Sequence, residues 1–146
     1  MTSTLKGLKA LIKTKLEGLV ESGTEVIFED VFDYPNGDFK NYPVAVILNT
    51  GASGSFLDTA RNERTFHFTI NLYQENTDAG EDKETADEVM TETVDAVINS
   101  FDKDKDLGGE VEIIRVVEAT FDFKITAGTF NFASIKVDCV VVVPNY

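Results

Sequence analysis

Histidine and cysteine, the types that most often carry proton transfer and metal binding, are scarce in this chain. There is one histidine, His67, and one cysteine, Cys139. Thr65, His67, Thr69 and Asn71 alternate with Phe66, Phe68, Ile70 and Leu72. This two-residue period puts His67 on the polar side of a strand, where a lone histidine is ordinarily a hydrogen-bonded sheet residue and not a catalyst. One His with one Cys does not make a zinc set. Spacing leaves a Cys-His nucleophilic pair open, but Cys139 lies inside an apolar run over 137–143, the setting of a buried free thiol. Gly51-Ala52-Ser53-Gly54-Ser55 lacks the lysine of a phosphate-binding loop and follows no strand-to-helix pattern. Asp102, Asp104 and Asp106 are spaced like calcium ligands. The loop pattern asks for Gly at its sixth position and Glu at its twelfth; Leu107 and Ile113 stand there. The remaining carboxylates are dispersed, and no acid pair suited to hydrolysis stands out. The expectation is a protein without catalytic, cofactor-binding or metal-ligating residues, and not an enzyme.

Charge narrows the class further. Over 146 residues, 26 acidic against 13 basic residues leave a formal net charge of -13. Such a surface does not grip nucleic acid, because phosphate neutralisation needs Lys and Arg. It does suit a surface that DNA passes without sticking. Hydrophobic residues make up 42% of the chain, with eleven Phe, which suits one globular domain over 1–146. A single Cys excludes an intrachain disulfide, and a reducing compartment fits. No signal peptide is expected, and no apolar run approaches the length that crosses a membrane.

The elements that must position these residues read as follows. Residues 63–101 form the centre: the alternating strand, a polar turn over 74–80, then a helix. In that helix Ala86, Val89, Met90, Thr93, Val94, Val97, Ile98 and Phe101 recur at three- and four-residue steps. Glu81, Asp82 and Glu84 lie near its first turn, where the helix dipole favours them. An earlier helix carries Leu5, Leu8, Ile12, Leu16 and Leu19, widened by Leu11 and Val20, with Thr4 as cap and Ser22-Gly23 as stop. Its other face carries Lys6, Lys9, Lys13 and Lys15. That row is either a solvated face or a patch that meets an acidic surface on another copy or partner. Residues 24–32 read as a strand, 34–38 as a turn, and 42–48 as an inner strand. Residues 49–61, rich in Gly, Ser and Ala around Phe56 and Leu57, read as a long connector between two antiparallel strands. Strands follow at 111–117 and 121–125. A long final strand over 130–143 carries a register change near Ala133-Ser134 and ends at Pro144. The order α-β-β-β-α-β-β argues for an α+β fold, an antiparallel or mixed sheet packed by two helices.

The chain resembles the tail terminator (tail completion, minor tail) proteins of long-tailed bacteriophages. The likeness rests on Tyr42-Pro43-Val44-Ala45-Val46 before a Gly-rich stretch, and on Glu63-Arg64-Thr65-Phe66-His67-Phe68-Thr69-Ile70-Asn71-Leu72-Tyr73. The acid-rich helix, Leu107-Gly108-Gly109-Glu110-Val111, and Ile135-Lys136-Val137-Asp138-Cys139-Val140 complete it. It covers nearly the whole chain as a layout, not as fixed residues. Head-completion and other neck proteins share parts of that layout. The resemblance implies a virion protein, assembled in the host cytoplasm, that forms a six-fold ring on the last ring of tail-tube subunits. Such a ring stops tube growth, presents a surface to the head connector, and lets DNA through its channel. The assembly contacts expected are Lys6, Lys9, Lys13 and Lys15, with Phe56, Leu57, Arg61 and Arg64 around the 49–61 stretch; the acidic segment 75–106 would face the channel or a neighbour's lysines. The alternatives are a head-completion or connector protein, and a small-molecule-binding α+β domain, which a deep polar pocket around His67 would favour.

Overall fold

A computed structural model describes residues 5–19, 28, 30–35, 44–56, 61–75, 80–104, 113–125 and 129–144. Side chains are described for these residues except 5, 55–56, 61, 74–75, 80–89, 122–125, 129–131 and 143–144. The elements run α1 (Leu5–Glu17), β1 (Asp30–Phe32), β2 (Val44–Phe56), β3 (Arg61–Glu75), α2 (Gly80–Lys103), β4 (Ile113–Ile125) and β5 (Thr129–Pro144). They form one five-stranded sheet in the order β1-β2-β3-β5-β4. β1 is parallel to β2, and every other neighbouring pair is antiparallel. The fold is α+β with a mixed sheet and the element order read from the sequence.

The two helices cover one face of that sheet. Phe66, Phe68, Ile70 and Leu72 of β3 are buried there, beside Ala133, Ile135, Val137 and Cys139 of β5. Leu8, Ile12 and Leu16 of α1 close the core from above, and Met90, Val94, Val97 and Phe101 of α2 belong to the same cluster. α1 lies over β1 and β2, whereas α2 lies over β4, β5 and part of β3. Where the helices come together, the Lys15 ammonium pairs with Asp104 at 3.1 Å and sits 5.9 Å from the centre of the Phe101 ring.

The structure corrects several boundaries. Most of the expected 49–61 connector is strand: twelve residue pairs join β2 to β3, from Val44 opposite Tyr73 to Phe56 opposite Asn62. The Gly- and Ser-rich half shows no hydrophobic period because residues 51–54 are exposed, so the backbone ladder alone holds them. The register steps at Thr50, and Gly51 beyond it has φ +153°, a conformation open to glycine. Of the stretches read as strands at 111–117 and 121–125, the described residues 113–117 and 121–125 are joined in one strand, β4, and the break in alternation is a bulge between Val116 and Glu118. Conversely, β5 has no register change near Ala133-Ser134. Its ladder with β3 runs unbroken through fifteen pairs, and Phe132 simply faces the other way, 5.1 Å from the Tyr73 ring. α1 stops at Glu17, not at 22–23. Gly18 donates to the Thr14 carbonyl and Leu19 to that of Leu16, which closes the last turn. Leu11, expected to widen the buried stripe, is 36% exposed. Of the strand expected over 24–32, Asp30–Phe32 is observed as β1, and 24–27 and 29 lie outside the described residues. Thr4, Val20, 22–23 and 36–38 lie outside them too.

Candidate functional site on the open face of the sheet

The sheet face turned away from the helices carries the polar half of each alternating strand. On β3 these are Thr65, His67, Thr69 and Asn71; on β5 they are Ser134, Lys136 and Asp138. Strand register sets them directly opposite one another: Asn71 against Ser134, Thr69 against Lys136, His67 against Asp138. Opposite side chains in such a pair sit about 5 Å apart at Cβ, near enough to hydrogen-bond. Ser134 donates its hydroxyl to Asn71 Oδ1 at 3.0 Å. Across the next strand pair Lys136 meets Glu118, its register partner, at 3.2 Å. Both are more than half exposed, and a pair so solvated contributes little.

The third rung differs. His67 Nδ1 lies 2.6 Å from Asp138 Oδ1, and His67 Nε2 lies 3.2 Å from Ser53 Oγ. Both ring nitrogens are therefore engaged. A carboxylate only accepts, so Nδ1 carries a proton, and in the neutral ring Nε2 accepts from the serine hydroxyl. Ser53 reaches the ring because Gly51, not Ser53, is the residue paired with His67. The glycine has no side chain to fill that place, and Ser53 follows two residues later on the same face.

The bulges at Thr50 and Val117 flank this rung at the same level of the sheet. Between them the face sinks into a depression of about 430 Å³ lined by Thr50, His67, Thr69, Val117, Lys136 and Asp138. It is open, since Val117 and Lys136 are both more than half exposed. Cys139 has no part in it. It pairs opposite Phe66 and faces the helices, so it points away from His67, and the Cys-His pair left open by spacing is excluded by face. Burial, with a smaller push from the Asp138 charge, raises its thiol pKa to about 12.

The residues expected at assembly contacts are dispersed. Lys6, Lys9 and Lys13 lie on α1, over the β1 and β2 end. Lys15 is on the same helix, but its ammonium is taken up by Asp104 within the chain, and Asp104 belongs to the acidic segment expected to meet a neighbour's lysines. Arg64 is exposed on the far half of the hairpin, opposite Gly54. Leu57 and the side chains of Phe56 and Arg61 lie outside the described residues. Sequence reasoning missed Ser53 and Asp138. The one usable signal was a serine and an aspartate on polar-face positions of strands, and only the pairing register says which of them meet His67.

Among the described residues no group of metal-ligand type converges, and no helix is long and apolar enough to cross a membrane. No family model and no curated protein sequence matches this chain.

Proposed function

We propose that this protein is a structural subunit of a phage tail, a tail terminator whose copies close into a six-fold ring on the tail tube, stop its growth and offer the head connector a docking face. The observation that supports this reading is the placement of a lysine row on α1 and an acidic row on α2, over opposite ends of the sheet. At about 100° per residue around a helix, Lys6, Lys9 and Lys13 fall on one flank of the buried Leu8, Ile12, Leu16 stripe, and Lys15 on the other. Lys15 reaches toward α2. The flank of Lys6, Lys9 and Lys13 therefore faces away from α2, at the β1 end. At the other end α2 exposes Glu92, Asp95 and Asp102. Below it the edge strand β4 exposes Ile113, Val117 and Phe121.

A unit with a lysine row on one helix, and acidic and apolar side chains at the other end of the sheet, suits a head-to-tail contact that repeats around an axis. A two-fold contact would set like against like. The net charge of -13 suits a channel that DNA must leave freely. Tail-tube protein and connector are the further partners in this reading, with no cofactor and no membrane.

The test is a charge swap. Lys6, Lys9 and Lys13 changed together to Glu should reduce assembly, seen by light scattering and electron microscopy with tail-tube protein present. Adding Glu92→Lys and Asp95→Lys should restore it. Assembly unchanged by the first set would sink the reading. Particles lacking the protein separate the nearest alternative: overlong tails fit a terminator, tailless full heads a head-completion protein.

A further inference from the structure

We propose that Ser53 is an activated nucleophile, with His67 as its general base and Asp138 as the group that orients the base, and that it reacts with small carboxylic esters. The three residues stand on three adjacent strands, β2, β3 and β5, so the backbone ladder fixes their spacing. The order of contacts is the one that activates a serine: hydroxyl to Nε2 at 3.2 Å, then Nδ1 to carboxylate at 2.6 Å. A stitch between β3 and β5 needs only the second contact. The first places an exposed hydroxyl on the remaining lone pair of the ring.

Every atom of the step has a place. Ser53 Oγ bonds to the ester carbonyl carbon as its proton passes to Nε2, and Asp138 stabilises the imidazolium. The ester C–O bond then breaks, and His67 returns the proton to the leaving alkoxide, releasing an alcohol. Water repeats the sequence on the acyl-serine and releases the acid. Ladder amides are already engaged by neighbouring strands, so the oxyanion gains little preorganised support. Turnover is accordingly slow, and covalent capture is the sensitive readout.

The experiment treats the full chain with a fluorophosphonate probe and maps adducts by peptide mass spectrometry. The expected result is an adduct on Ser53 that is lost in Ser53→Ala and forms about 100-fold more slowly in His67→Gln. Asp138→Asn should slow it as well. Circular dichroism checks that each variant is folded. Should a variant not fold, the wild type decides, by the labelling rate at Ser53 against the rates at the chain's other serines. Labelling of Ser53 no faster than of the other serines, or an unchanged rate in a folded His67→Gln, overturns the proposal. None of these readouts requires ring assembly, so this inference and the structural role stand or fall separately.

Discussion

His67 and Asp138 are direct cross-strand partners at the centre of β3 and β5, and their side chains close to 2.6 Å on the face that the helices leave open. The same pairing turns their neighbours Phe66 and Cys139 into the core. One register therefore assembles both the polar rung and the apolar layer beneath it. A slip of a single residue would exchange the two.

This rung should be measurable as a coupling. The His67 and Asp138 side chains are 36% and 18% exposed, which weakens but does not erase a charge-assisted hydrogen bond. A double-mutant cycle of His67→Ala and Asp138→Ala in urea denaturation should return about 1 kcal/mol of interaction. Strict additivity would mean that the contact is not held in solution.

Gly51 and Gly54 should respond differently to alanine. Space is not the difference, for an added Cβ would lie 3.7 Å from its nearest neighbour at Gly51 and 3.5 Å at Gly54, both ordinary contacts. The backbone is: Gly51 holds φ +153°. Gly51→Ala should cost about 1–3 kcal/mol, and Gly54→Ala under about 0.5. Equal midpoint shifts in denaturant would remove the strain argument.

The boundary between core and surface on the helices can be tested with two truncations. Phe101 is fully buried and lies under the Lys15 ammonium, so Phe101→Ala should cost about 3–5 kcal/mol. Leu11, a third exposed, should lose less than about 1 kcal/mol on the same change. A large loss at Leu11 in the monomer would show that it is covered in a way the fold does not reveal.

Cys139 carries a pH dependence. Its folded thiol pKa, pushed up to about 12 by burial and then by Asp138, exceeds the ordinary value near ~8.5 that the unfolded chain shows. Because the folded value is the higher one, the linked stability is complete below about pH 8.5 and is lost as pH rises from there toward about 12. Wild type should therefore lose more stability than Cys139→Ala between pH 8 and pH 10.5, measured by urea denaturation. A thiol reagent at pH 8 should modify Cys139 only as fast as the chain unfolds.

What the sequence determined on its own is the division of each regular element into two sides. The alternation from Thr65 to Leu72 and the steps Met90, Val94, Val97, Phe101 name the buried residues, because burial imposes the period of the element on the residue types. Fold class and element order follow from those periods. The outer half of the hairpin and the continuity of β4 did not, since exposed strand at 51–54 carries no period and the bulge at Val117 imitates a strand end. Tertiary structure alone brought Ser53 to His67 and Asp138, residues separated by 14 and 71 positions in the chain. It also turned Lys15 inward to Asp104 and set Lys6, Lys9 and Lys13 and the α2 acids at opposite ends of one sheet. The physical reason is that register is a non-local choice: it is decided by which strands pair and where their bulges fall, and no residue's own neighbours in sequence record it.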